Sequence, residues 1–210
     1  MDRRILTGSA MLFVLLCSGV AHATTFTLGN NPQSDEENIF LNADGSGATV
    51  VGVTANSNLF VNFSSTTDFL SEPSNGAARI ASADGLINQL AITVPNGVFS
   101  DFIFNAFNGS GMATVSVNVN LAGGGTGVFQ YALNLSNGSN FFTVVGGAGE
   151  TFNSLTIDAV NGFGFADLRQ PRISGAELLS TAAPVPEPAS LMLLGSGLVF
   201  VGRRMRRTKA

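Results

Sequence analysis

Val115-Ser116-Val117-Asn118-Val119-Asn120-Leu121 and Phe129-Gln130-Tyr131-Ala132-Leu133-Asn134-Leu135 flank the turn-forming run Gly123-Gly124-Gly125-Thr126-Gly127. Strict alternation of apolar and polar residues places one set on each face of an extended strand. Two such runs joined by a glycine-rich link predict a hairpin with one buried and one wet face. The pattern recurs along the chain. Further strands are expected at 26–29, 38–41, 48–53, 58–63, 77–81, 89–94, 98–104, 140–145, 152–158 and 168–174. Between them stand Asp44-Gly45, Asn75-Gly76, Asp84-Gly85, Asn96-Gly97, Asn108-Gly109, Asn137-Gly138 and Asn161-Gly162. Asn or Asp followed by Gly takes the left-handed φ of tight turns at little steric cost. Short strands spaced this way, with no amphipathic helical stretch, predict an all-β body: a β-sandwich of jelly-roll type. A β-solenoid is the rival architecture, but no fixed repeat period supports it.

Charge is sparse and segregated. Only 11 % of the 210 residues are charged, against about a quarter in a typical globular chain. Between Thr24 and Ala183 there are three arginines (Arg79, Arg169, Arg172) and twelve acids, so the body carries 3 − 12 = −9. Such a body repels phosphate backbones and has no basic patch, which excludes nucleic acid as a partner.

The two ends read differently from the middle. Arg3 and Arg4, the mostly apolar run Ile5 to Val20, and Ala21-His22-Ala23 form the three regions of a secretory signal peptide. Cleavage is expected after Ala23, with Ala21 and Ala23 as the small residues that the peptidase reads. Cys17 is preceded by Leu16, where lipoprotein processing wants a small residue, so it is read as part of the discarded leader. At the other end, Pro186 and Pro188 stiffen Val185-Pro186-Glu187-Pro188 into an extended element. Ala189 to Val201 then run uncharged for thirteen residues before Arg203, Arg204, Arg206 and Arg207. As a helix that run is about 20 Å long, short of the ~30 Å hydrocarbon core. Snorkelling arginine stems and a locally thinned bilayer make up the difference. The arginines are expected to stay in the cytoplasm, with the body on the far side. A C-terminal helix docked on the body is the alternative. The expected organisation is therefore 1–23 signal peptide, 24–180 β-sandwich body, 181–188 linker, 189–202 apolar membrane segment and 203–210 basic cytoplasmic tail.

The ordered triplet of Val185-Pro186-Glu187-Pro188, apolar run and arginine cluster resembles the PEP-CTERM sorting signal of Gram-negative bacteria. A similar tail is also known as an ice-binding-protein C-terminal domain, a label that describes the tail and not the body. The resemblance implies export across the inner membrane and transient anchoring there. It also implies recognition by an exosortase, a membrane-embedded protease, and release to the cell surface or medium, often alongside exopolysaccharide. It covers only the last ~25 residues. The stretch Asn137 to Gly175 also resembles a body pattern seen in other chains with this tail, and no activity comes with it.

Chemistry in the body is narrowly bounded. Once a leader ending at Ala23 is removed, no His or Cys remains, and the one Lys is Lys209 in the tail. Ser-His-Asp, Cys-His and Ser-Lys arrangements and His/Cys metal sites are thereby unavailable. Paired-carboxylate chemistry remains open, but a chain with no Trp and one Tyr makes a poor sugar cleft. The body is expected to be non-enzymatic and to need no cofactor. Asp35, Glu36 and Glu37 are candidate calcium ligands, or else a solvated loop before the strand at Ile39. Asp158 and Asp167 are a second, weaker pair. Arg169 and Arg172 are expected to pair with nearby acids on the surface. If the body is instead a carbohydrate-binding module of jelly-roll type, exposed rings are required, with Tyr131, Phe107, Phe163 and Phe165 as candidates. Ice binding would need a ladder of threonines, which is absent.

Overall fold

A computed structural model of the chain describes residues 23–41, 45–73, 79–160 and 162–179. The chain divides into a compact unit ending at Glu177 and a second unit from Leu178 to Ala210. The strands described here belong to the first. They are β1 (Thr25–Leu28), β2 (Glu37–Leu41), β3 (Ser46–Gly47), β4 (Thr49–Thr54), β5 (Phe60–Ser64), β6 (Leu70–Ser71) and β7 (Arg79–Ser82). The series continues with β8 (Gln89–Thr93), β9 (Gly97–Val98), β10 (Asp101–Asn120), β11 (Thr126–Leu135), β12 (Phe141–Val145), β13 (Thr151–Ala159) and β14 (Gly164–Ser174). No helix occurs among the described residues, so none there is long and apolar enough to cross a membrane. The all-β class is as the alternation implied.

The organising element is β10, longer than the sequence suggested. Read as a turn, Asn108-Gly109 lies inside this strand. One flank of β10 is tracked by the chain from 126 to 145: β11 pairs with its second half (Gly111↔Leu135 to Asn120↔Thr126) and β12 with its first (Asp101↔Val145 to Asn105↔Phe141). Backbone bonds from Ala106, Asn108 and Gly109 to the carbonyls of Asn140, Gly138 and Ser136 fill the interval. The other flank is tracked by β13 (Ala113↔Ala159 to Asn120↔Thr151) and β14 (Asp101↔Ser174 to Ser110↔Gly164).

Left-handed residues gather at one level of the three long runs. Asn108 has φ 50° and Gly111 φ 74° on the middle run, Gly138 φ 91° on one neighbour and Gly162 φ 75° on the other. Asn108 and Gly111 take the left-handed conformation inside β10 without ending its pairing, while Gly138 lies in the β11–β12 link and Gly162 in the β13–β14 link. Asn108 locks this level crosswise: its Oδ1 accepts the Gly138 N–H at 3.0 Å. Asn140 locks it along the chain, its amide donating to Ala106 O at 2.8 Å and Ser136 O at 2.7 Å.

Beyond this level the strands close on themselves. β10, β13, β8, β5, β4, β2 and β14 follow one another as hydrogen-bonded antiparallel neighbours, and β14 returns to β10. The result is a closed seven-strand barrel with β11, β12 and β1 laid along the outside of β10, and β7, β6 and β3 beyond β14. These pairings do not establish a jelly-roll connectivity. Closure rests on a thin seam, since β2 meets β14 only at Glu37↔Ile173 and Asn38↔Arg172.

The interior is phenylalanine-rich. Phe63, Phe99, Phe102, Phe104, Phe142, Phe152 and Phe165 are fully buried. Phe99 meets Phe152 edge-on at 5.6 Å between centroids, and Phe104 leans on Phe142 at 5.7 Å. Edge contacts suit the ring quadrupole, and burial of each side chain stabilises the fold by about 2–3 kcal/mol. Val115, Val117 and Val119 point into this core, as their alternation required.

Candidate functional site

Most of the targeting residues lie outside the described residues: Ala21, Val185, Pro186, Glu187, Pro188, Arg203, Arg204, Arg206, Arg207 and the run 189–202. Ala23, the last residue of the expected leader, is described and exposed, two residues before β1.

The acidic loop does not gather its carboxylates. Asp35 is exposed and takes a left-handed φ of 60°. Glu36 turns inward against Arg172, with Oε2 3.3 Å from Nη1, its side chain only 9 % exposed and its Oε1 without a hydrogen-bond partner. Burial pushes the Glu36 carboxyl above its ordinary value, although Arg172 pulls the other way. Glu37 turns toward the β4–β5 connection, where Oε2 accepts the N–H groups of Asn56 at 2.6 Å and Ser57 at 2.8 Å. Partial burial there acts to raise its pKa, but those N–H groups together with the Ser57 and Thr54 hydroxyls hold Glu37 below the ordinary value. The three candidate calcium ligands thus face three environments. Among the described residues no group of three His, Cys, Asp or Glu side chains converges.

Asp158 and Asp167 are likewise apart in role. Asp158 is exposed, opposite Thr114 and Gln89 in the neighbouring strands, and desolvation raises its pKa. Asp167 is buried beneath two arginines, with Arg79 Nη2 at 2.8 Å and Arg169 as second partner. The Arg169 guanidinium also caps the Phe107 ring, 3.4 Å from its centroid, an arrangement favoured by the ring face. Arg169 and Arg172 therefore pair with acids, but not with surface ones: Asp167 is buried and the Glu36 side chain is largely covered.

One carboxylate was missed by sequence reasoning. Asp68 is buried, and its Oδ2 accepts from Ser65 Oγ, Thr67 Oγ1 and the N–H groups of Asn88 and Gln89, all within 3.0 Å. Its Ser-x-x-Asp context is a loop-capping signature, but nothing local announces the partners twenty residues away. These contacts saturate one carboxylate oxygen and tie the chain after β5 to the start of β8.

Among the expected ring candidates, Phe165 is buried, Phe107 is capped, and Tyr131 stacks on Phe26 at 5.7 Å and leans on Phe142 at 5.2 Å. Phe163 alone is well exposed. Two other exposed rings share one face. Phe40 on β2 and Phe60 on β5 both stand opposite Val53 of β4, forming a row across the outer face. They are 43 % and 61 % exposed. The run Thr49-Val50-Val51-Gly52-Val53 hid this, because apolar residues on both faces leave the phase unreadable. A shallow groove of about 350 Å³ between Leu28, Asn30, Asn134 and Asn140 contains amides and apolar groups but no titratable side chain.

Comparison with known proteins places the identifiable function in the tail. The family model of the PEP-CTERM protein-sorting motif matches residues 184–207. That segment marks the chain for export, exosortase processing, C-terminal membrane anchoring and sorting to the cell envelope. No curated protein and no solved structure matches the chain.

Proposed function

We propose that, with a sorting motif at residues 184–207, the chain is a non-enzymatic surface or extracellular-matrix protein of a Gram-negative bacterium. It crosses the inner membrane behind a leader ending at Ala23. The apolar segment 189–202 holds it there transiently until an exosortase cuts near Val185 to Pro188. Calcium is not required. The released β body, lacking His, Cys and Lys, contributes to a matrix that contains exopolysaccharide. The observation that carries this reading is the motif itself, with its Pro-Glu-Pro, apolar run and arginines in order at the C-terminal end of the sequence.

Intact-mass spectrometry of envelope and medium fractions tests it, comparing a native host with one lacking its exosortase. The expected native species begins at Thr24 and ends near Val185 to Pro188, while the deletion host retains the tail. A tail intact in both hosts would mean a permanent anchor and would overturn the processing claim.

The row Phe40–Val53–Phe60 favours a second reading, a carbohydrate-binding body. Adjacent strands lie about 4.8 Å apart, so the two rings stand roughly two strand spacings apart on an uncharged surface that suits a neutral glycan. Replacing both phenylalanines by Ser is expected to abolish retention on an insoluble neutral polysaccharide. Unchanged retention, or none in the parent chain, removes this reading.

A further inference from the structure

We propose that β11 is a docking edge for a second copy of this chain, which adds its own β11 antiparallel to it. Among the described residues β11 pairs with β10 alone. Its other side presents a row of main-chain donors and acceptors over ten residues. The outer side of the same long run is covered by β1 at β12, from Thr25↔Val145 to Leu28↔Phe142. Gly29, with φ 107°, follows β1, and no described strand continues alongside β11.

Exposed edges invite pairing, and proteins blunt them with brevity, charge, proline or a bulge. The ends of the strand order use the first device: β1 has four residues and β3 has two. β11 uses none of them. No Asp, Glu, Lys, Arg or Pro occurs anywhere from Phe102 to Gly149, a span that holds most of β10 and all of β11 and β12. The β10–β11 pairing runs without a register shift from Gly111↔Leu135 to Asn120↔Thr126. Val128, near the turn end of β11, is 64 % exposed. A strand this long, regular and uncharged is a template for another strand.

Charge selects the occupant. A body of net −9 repels its own copies over most of its surface, and the Phe102–Gly149 span is where two copies approach without opposing charges. Two-fold pairing of β11 with itself sets like against like. With Gln130 on the axis, Val128 faces the second copy's Ala132 and Thr126 faces its Asn134, with no like-charge pair in this or a neighbouring register. Because β11 is the long free edge and the interface is self-complementary, the assembly closes as a dimer.

Sedimentation velocity of the detergent-solubilised full chain over a hundredfold concentration range tests this. The parent is expected to convert from monomer to dimer. Val128→Lys is expected to weaken dimerisation at least tenfold, while Val51→Lys, at another exposed valine on β4, leaves it unchanged. A second measurement is independent of any folding defect. With Cys17→Ser, Gln130→Cys is expected to form an intermolecular disulfide under mild oxidation, and Ser64→Cys is not. A parent that stays monomeric throughout, dimerisation indifferent to Val128→Lys, or equal crosslinking at both cysteines overturns the proposal.

Discussion

At the scale of single residues, stability rests on a few buried carboxylates, each with its own donors. Asp68 is the most completely satisfied, since one oxygen serves two hydroxyls and two backbone N–H groups. Asp68→Ala leaves the Asn88 and Gln89 N–H groups without that acceptor in a part-buried site. A cost of roughly 2–4 kcal/mol is expected, read as a lower midpoint in urea unfolding. Asp68→Asn retains an acceptor for the two N–H groups and is expected to lose less. None of this was legible beforehand. The sequence shows twelve acids in the body, and only the fold distinguishes Asp68 and Asp167, which are held, from Asp158, which is merely partly desolvated. The acidic run Asp35-Glu36-Glu37 was conspicuous for its density, yet a turn at Asp35 sends its side chains in different directions.

At the scale of elements, the level of left-handed residues shared by β10 and its neighbours decides the architecture. Gly111 is its tightest point: a Cβ there would overlap the Phe163 ring, and the backbone φ of 74° already disfavours a side chain. Gly111→Ala is expected to cost about 2–4 kcal/mol. Adding Phe163→Ala is expected to recover the steric part and leave the backbone part. A double-mutant cycle in urea would show the coupling as a clear departure from additivity. Strand existence was readable here, because Val115, Val117 and Val119 against Ser116, Asn118 and Asn120 admit one phase only. The left-handed level was not. Asn108-Gly109 carries the same local signal whether it reverses a chain into a hairpin or sits in a strand that continues, and partners on both flanks decide between the two. Two-residue strands such as β3, β6 and β9 have no period to read.

At the scale of the whole molecule, the barrel depends on its shortest junction. β2 and β14 share two residue pairs, reinforced by Arg172, which reaches both Glu36 and Asn30. Arg172→Ala strands Glu36 as a buried, unpaired carboxylate. A loss of roughly 2–3 kcal/mol is expected at neutral pH, somewhat below the full buried-pair value because the arginine is partly hydrated. The sign with pH follows from Glu36. Its folded pKa is raised by burial above the ordinary 4.5, so its contribution is fully present below 4.5 and is lost as pH rises through the folded value. Without Arg172 the folded value climbs further. The variant's deficit should therefore shrink as pH falls toward 4.5, and thermal unfolding from pH 7 to 4 checks this. A deficit independent of pH would assign the loss to packing of the arginine stem. Sequence pattern could find β2 and β14 separately, but nothing in either names the other across more than 120 residues.

That seam has a consequence in time. A chain is delivered N-terminus first, from the ribosome or through a membrane pore, so β2 emerges early and must wait for β14. Until Ile173 arrives the barrel has no closing partner for β2. Ser174 is followed closely by residue 184, where the sorting segment begins. Latching and address-reading are thus adjacent events at the end of one thread. The pairs that close the barrel therefore lie within about a dozen residues of the segment that carries the address.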